Sequence, residues 1–207
     1  MSSPKSKARR PPPTRRERKA ETRSALLVAG RKLFSEAGYE GTTLAQVARR
    51  AGVAVGTVYV HFPDKATLLS HALHDDLERV LSEARQSLPR GKARTKLLHL
   101  ARALFSYYAV DLPLSRILVK ESLLGRLDPD TQPGAVLHGF LAEVAGILQR
   151  SKSLAPGVEP LVGAHAFFGL YLTVLLTGLR EDEFDVEARI AQLDALLSTL
   201  FHTPSKS

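Results

Sequence analysis

The stretch from Thr42 to Lys65, TTLAQVARRAGVAVGTVYVHFPDK, limits what the rest of the chain can be. Two short helical patterns meet at Ala51-Gly52-Val53, where the backbone must turn sharply and glycine tolerates the positive φ such a turn often needs. Thr43 with Gln46 three residues later forms a capping box, which satisfies orphan N–H groups at a helix start. Leu44, Val47, Ala48 and Ala51 then recur at helical spacing and make a buried face, leaving Arg49 and Arg50 for solvent or phosphate. The second pattern, roughly 55–62, sets Val58 and Phe62 four apart on one face and leaves Thr57, Tyr59 and His61 elsewhere. A helix this short is not stable alone. It has to be held by its neighbours and presented to something, which is the logic of a helix-turn-helix.

Charge tracks the motif. The 207 residues carry a formal net charge of +8. Residues 1–65 hold 14 Lys+Arg against 5 Asp+Glu, and the remainder holds 15 against 16. A basic excess confined to the third of the chain with the helix-turn-helix is the electrostatic footprint of a domain that meets a polyanion. There is no cysteine, which excludes a disulfide framework and a Cys-based zinc site. The basic N-terminus lacks an apolar core, so no secretory signal is expected.

In chain order, residues 1–19 combine Pro-Pro-Pro with eight basic residues and one acidic one, and are expected to be a disordered basic tail that either trails along phosphate or only solubilises. A helix from about Arg16 or Ala20 to Ala37 carries Leu26, Leu27, Gly30, Leu33 and Phe34 at three- and four-residue spacing, with Gly38 placed to end it. After Phe62-Pro63-Asp64 a long apolar repeat runs from Lys65 to about Leu88, a continuous helix leading from the motif into the remainder. Breaks at Pro89-Arg90-Gly91, Asp111-Leu112-Pro113, Gly125 to Gly134, Ala155-Pro156-Gly157 and the acidic run Glu181 to Glu187 divide the rest of the chain into five helices, about 92–110, 113–126, 132–151, 157–180 and 185–202. No convincing strand alternation appears, so the chain should be all-α.

Leu161 to Leu179 has no formal charge over nineteen residues and by length alone reads as a membrane span. Against that, Gly163, Ala166, Gly169, Thr173 and Thr177 make a small-residue stripe, Phe168, Tyr171, Leu175 and Leu179 a bulky one, and the rest of the chain is amphipathic. A buried helix needing cover on all sides is the preferred reading. The last helix offers a second apolar face through Val186, Ile190, Leu193, Leu197 and Leu200. Catalytic motifs are missing: there is no Gly-rich phosphate loop, His-Glu-x-x-His, Gly-x-Ser-x-Gly or cysteine nucleophile. His71, His74 and Asp75 could share a metal by spacing, but nothing fixes a third ligand, and a solvated helix face is the preferred reading.

Ala48, Ala51-Gly52-Val53, Gly56-Thr57, Tyr59, Phe62 and Lys65 together resemble the DNA-binding domain of the tetracycline-repressor (TetR) type of bacterial transcriptional regulator, over about residues 20–75. The resemblance implies an all-α protein of about nine helices, with a three-helix DNA-binding domain at 20–65 and a helical ligand-binding and dimerisation domain at 66–207. It implies a cytoplasmic, homodimeric repressor without catalytic residues, metal or cofactor. Such a protein releases a pseudo-palindromic double-stranded DNA operator when a small molecule, apolar or aromatic, binds the C-terminal domain. The last two long helices would form a four-helix interface between subunits.

On this reading Thr43, Tyr59, His61 and Lys65 suit phosphate oxygens, while Gln46, Thr57 and Arg49 lie near base edges. The chain departs from the family pattern at Ala54-Val55, where a serine and a polar residue are usual, so Val55 is left with apolar contact to thymine methyls. Phe105, Tyr108, Phe140, Phe167 and Tyr171 are candidates to line the effector pocket, with His99, Arg102, Glu121 or His138 as polar determinants. Two rival readings remain, a membrane-anchored helical protein using 161–179 as its span and a helical enzyme with a basic tail.

Overall fold

The structure is a computed structural model that describes residues 14–124, 132–151, 154 and 157–198. Its regular elements are nine helices among the described residues: α1 Arg15–Ala37, α2 Leu44–Ala51, α3 Val55–His61, α4 Lys65–Gln86, α5 Ala93–Ala109, α6 Leu112–Leu124, α7 Gln132–Ser151, α8 Pro160–Gly178 and α9 Val186–Leu197. They divide between two compact units, Met1–Lys65 and Ala66–Ser207.

In the first unit α1 packs on α2 and α2 on α3. Leu26 and Phe34 of α1, Val47 and Ala48 of α2, Val58 of α3 and Phe62 are all buried. The start of α1 corrects an expectation. Residues 15–19, expected to belong to a disordered tail, are the first turns of the helix, because Thr14 and Glu17 close a capping box there. The Glu17 carboxylate accepts from the Thr14 N–H at 2.6 Å and the Glu17 N–H donates to Thr14 Oγ1 at 3.2 Å. That box supplies partners for N–H groups which an uncapped start would leave to water. The rest of the expected tail, residues 1–13, lies outside the described residues. At the other end Gly38 adopts φ 70° and its N–H returns to the Phe34 carbonyl. The wholly buried Thr42 hydroxyl then donates to the Gly38 carbonyl at 2.8 Å.

In the second unit α5 is packed by α6, α7 and α9, and α8 lies against α7 and α9. Leu97, Leu100, Phe105, Val144, Phe167, Val174, Leu193 and Leu197 form its core. Phe105 stacks on Tyr171 with ring centroids 5.0 Å apart, and Phe140 meets Phe167 at 6.2 Å. Polar ties fix the packing. Arg94 of α5 reaches Asp194 of α9 through both its carboxylate, at 2.5 Å, and its backbone carbonyl, at 2.8 Å. Arg85 of α4 pairs with Glu143 of α7 at 2.7 Å. Arg116 of α6 donates to the carbonyls of Leu179 and Glu181, satisfying acceptors that the end of α8 leaves open.

The turn after α8 is closed by Phe184 folding onto Gly178. A Cβ on residue 178 would lie 2.5 Å from the Phe184 ring and 3.1 Å from Arg189 Cδ. Gly178→Ala is therefore expected to destabilise the second unit by about 1–3 kcal/mol. The check is a lower urea midpoint for loss of helical circular dichroism, with the control Gly139→Ala, an exposed position of α7 where an added Cβ meets nothing within 4 Å, leaving stability within about 1 kcal/mol of wild type.

Candidate nucleic-acid interface and effector cavity

The helix-turn-helix is set by its caps and its turn. Thr43 Oγ1 accepts from the Gln46 N–H at 3.2 Å, and Gln46 Oε1 accepts from the Thr43 N–H at 2.7 Å and from its hydroxyl at 2.9 Å. Gln46 is thus oriented by the same box that starts α2. At the end of α2, Gly52 sits in the left-handed region at φ 71° and ψ 29°, a conformation that favours glycine. The Val53 N–H reaches back to the Ala48 carbonyl at 3.0 Å and the Gly52 N–H to the Arg49 carbonyl at 3.3 Å, the pair of bonds of a Schellman turn. That turn aims α3.

Helix α3 has only seven residues, and its N-cap Ala54 makes no side-chain hydrogen bond. It is held by Val58 and Phe62, both fully buried, with the Arg23 guanidinium of α1 4.7 Å from the centre of the Phe62 ring. The opposite face is open. Val55 is 42% exposed, Tyr59 56% and Val60 74%, with Gly56 exposed beside them. Residues 55, 56, 59 and 60 keep helical spacing, so this is one continuous stripe. Thr57 is half-buried.

Basic groups are exposed on the neighbouring helices. Arg49 is exposed on α2, and Arg15, Arg16, Arg18 and Lys19 are exposed on the first turns of α1. His61 is half-buried, and burial pulls its pKa below the usual value, with Lys19 and Arg23 adding to the effect. The imidazole therefore stands near these cations at the end of α3. Arg50, read from the sequence as open to solvent or phosphate, instead pairs with Glu36 of α1 at 2.6 Å. Nothing in the local pattern marks that bond, because its partners are fourteen residues apart. Lys65 is likewise engaged: its Nζ donates to the Tyr39 carbonyl at 2.7 Å, lies 4.0 Å from the centre of the Tyr39 ring and 3.8 Å from Glu40. An ammonium has three donors, so the Tyr39 bond positions the head without exhausting it.

The second unit contains a cavity of about 130 Å³ with an almost wholly apolar wall. Of the aromatic candidates, Tyr108, Phe140 and Tyr171 line it, whereas Phe105 and Phe167 are buried in the packing behind. His138 is exposed on α7, with Nδ1 2.8 Å from the Gly134 carbonyl. His99 and Arg102 face open grooves along α5, away from this cavity, and Glu121 is not in its lining. His74 is: the sequence marked it only for a weak metal pairing, yet its imidazole is 5% exposed and lines the cavity. Among the described residues no group of three or more His, Cys, Asp or Glu is placed to hold a metal ion.

Helix α8 has the length and composition to cross a membrane, with mean hydropathy 1.6 in its most apolar window. Core helices of soluble proteins pass the same test, and α8 is packed by α7 and α9.

A capped helix, a left-handed glycine turn and a short second helix with an open face, bordered by cations, define a helix-turn-helix DNA-binding protein. Residues 26–72 match the family model "Bacterial regulatory proteins, tetR family". The chain is 23% identical over 182 residues to the fatty acid metabolism regulator protein of Bacillus subtilis, covering 86% of this chain and 94% of that one. It is 43% identical over 72 residues to the HTH-type transcriptional repressor KstR of Rhodococcus jostii, where the match spans 35% of this chain and about a third, 33%, of the relative. The crystal structure of the FadR regulator of Bacillus subtilis in complex with stearoyl-CoA has the same fold, with a TM-score of 0.61 at 22% identity over 86% of this chain and 99% of that one. Over residues 26–72 the chain is thus similar to the DNA-binding domain of the TetR family, and beyond them the likeness, at 22–23% identity, is one of fold.

The bare N-terminus of α3 gives a test of this geometry. A serine at 54 would place a hydroxyl oxygen at a position with extended backbone, φ −69° and ψ 147°, where it can accept from the first free N–H groups. Ala54→Ser is expected to stabilise the first unit by about 1 kcal/mol, read as a higher midpoint for thermal loss of helical signal.

Proposed function

We propose that the protein is a cytoplasmic homodimeric repressor, not an enzyme, which releases a pseudo-palindromic operator when a small molecule occupies the cavity of its second unit. The observation that carries the DNA-binding half is the open stripe of α3. Two valines and a tyrosine stand in water on a helix whose other face is fully packed, and bulky apolar groups ordered in that way gain by meeting thymine methyls and the sugar edges of a groove.

Thr43, Tyr59, His61 and Lys65 then hold phosphates and fix register, with the N-terminus of α2 adding its free N–H groups. Gln46, Arg49, Val55 and Thr57 read the groove. The two valines carry no hydrogen-bonding groups, so readout by α3 rests on methyl contacts and on DNA shape more than on paired donors and acceptors.

Dimerisation uses α8 and α9. Leu161 and Val162 are 52% and 58% exposed, and His165, Gly169 and Thr173 continue an uncovered face of α8. Covering such a face with its symmetry mate is the usual solution for a soluble helix. Two heads so related would read half-sites about 34–36 Å apart, or a multiple of a helical turn. An effector that favours one state of the dimer lowers operator affinity by its differential binding to the two. The helix that begins with Lys65 also contributes His74, Leu77 and Leu81 to the cavity wall, so one element carries residues of both proposed roles.

Selection from random duplex DNA at near-physiological salt tests the reading. An inverted repeat should be enriched by the wild type, and Val60→Asp, which sets a carboxylate on an exposed position of the stripe, should lose that enrichment while retaining its melting temperature. Sequence-independent binding by both proteins would sink the proposal.

His61 adds a pH signature. In the free protein its pKa is depressed, chiefly by burial, so it is neutral at pH 7. A phosphate beside it favours the charged imidazolium and raises the pKa in the complex. Binding then takes up a proton, and operator affinity should rise as pH falls from the raised pKa of the complex toward the depressed pKa of the free protein. Fluorescence anisotropy at constant ionic strength, from about pH 8 to about pH 5.5, should show this slope in the wild type and a flatter one in His61→Gln.

A further inference from the structure

Glycine within a helix costs stability relative to alanine, and the cost weighs most on a helix as short as α3, which is not stable alone. Gly56 nevertheless occupies its first turn. Three circumstances call for a residue without a side chain: a backbone in the left-handed region, a close approach by another part of the chain, or a close approach by a partner. The first does not apply, because the described glycines with positive φ are Gly38, Gly52, Gly91 and Gly157. Nor does the second, since a Cβ on residue 56 would meet nothing within 4 Å. Gly139 and Gly169 share both properties. Gly139 lies within the 20 residues of α7, a helix long enough to bear the cost, and Gly169 lies on the α8 face proposed for dimerisation. For Gly56 the third circumstance remains.

The surroundings of Gly56 identify what approaches. Tyr59 and Val60, three and four residues on, are its neighbours on the helix surface, and Val55 precedes it. All three side chains are exposed, while Val58 and Phe62 are buried on the other side. Bare backbone among bulky side chains is a notch, deeper than alanine would leave by one carbon–carbon bond of about 1.5 Å. Its walls are two valines and a tyrosine ring, so it suits an apolar group. In the major groove the base edges present hydrogen-bonding atoms and one apolar group, the C5-methyl of thymine. That methyl has the size of the side chain that Gly56 lacks.

We infer that Gly56 is a specificity-determining position, whose missing side chain makes room for one thymine methyl seated against the α3 backbone among Val55, Tyr59 and Val60. This rests on α3 reading the major groove, as in the proposed function, and adds to it a residue that contributes by leaving space. A methyl on residue 56 and a methyl on the base contend for one volume. Removing the second makes room for the first.

The test therefore pairs a methyl added to the protein with one removed from the DNA. Full-length wild type, Gly56→Ala and the control Gly139→Ala are titrated by fluorescence anisotropy against the operator selected by the wild type. They are also titrated against copies in which each thymine in turn, in both half-sites, is replaced by deoxyuridine. Gly56→Ala should melt no lower than wild type, since alanine suits a helix better, yet bind the operator about tenfold more weakly, with Gly139→Ala unchanged. At one thymine of each half-site, deoxyuridine should weaken the wild type about fourfold, as expected for one buried methyl, and bring Gly56→Ala to within about threefold of the wild type on the same DNA.

Full affinity of Gly56→Ala for the operator overturns the close approach. A lowered melting temperature overturns it too, by giving Gly56 a role in the fold. Weakened binding that no deoxyuridine restores overturns the assignment to a thymine methyl. Each of these, with an inverted repeat still selected by the wild type, leaves the DNA-reading proposal standing, whereas selection of no repeat removes that proposal and this one together. Restoration at a single thymine of the half-site supports the inference.

Discussion

The DNA-reading unit depends on Val58 and Phe62 being buried under a helix of seven residues. Helix nucleation costs more than two turns of hydrogen bonds return, and α3 lacks even a side-chain cap. Its conformation is therefore imposed from outside, by two side chains four residues apart that enter a core made by α1 and α2. The same constraint explains why α1 is long. A short helix cannot orient another short helix, whereas Leu26 to Phe34 provides more than two turns of buried contact on one rigid rod. Arg23 over the Phe62 ring extends that hold by a cation–π contact.

This dependence also sets which parts are legible in the sequence. Caps, turns and periodicity are local, and the Thr43–Gln46 box, the Gly52 turn and the buried spacing of α2 and α3 can be read directly. So can the helical character of the described residues between 93 and 197, since each break carries its proline, glycine or charge run. The start of α1 is harder because composition points the other way: eight cations and a triple proline suggest disorder, and a single Thr14–Glu17 box among them outweighs that tendency locally. The pairing of Arg50 with Glu36 and of Lys65 with the Tyr39 carbonyl joins residues fourteen and twenty-six positions apart. No period or spacing encodes such pairs, which exist only once the helices have packed.

The cavity is obscure in the sequence for a related reason. Aromatic residues on amphipathic helices are the ordinary material of a core, and periodicity places Phe105 and Phe167 on an inner face as firmly as Tyr108 and Tyr171. Which of them borders empty space depends on how closely α4, α5, α6, α7 and α8 approach, a tertiary quantity. His74 shows the limit most clearly. On a helical wheel it neighbours His71 and Asp75 and suggests a polar cluster, yet it is buried among leucines with one nitrogen tied to its own backbone. The signal that could have found it is its register with Leu77 and Leu81, three and seven residues on, which line the same cavity.

On the proposed reading, the exposed valines of α3 and the basic groups of the first unit divide the work of binding. Phosphate contacts from lysine, arginine and histidine supply affinity through counterion release, which salt weakens and sequence hardly alters. Apolar contact with a thymine methyl is nearly indifferent to salt, yet it vanishes when the base changes. If α3 is the recognition helix proposed, valine at two exposed positions places its discrimination in the contribution that ionic strength does not erode, while the basic groups hold the protein near DNA of any sequence. The cost is borne by the free protein, which keeps about two valines and a tyrosine in water. The packing of Val58 and Phe62 on its reverse prevents the helix from turning that face inward.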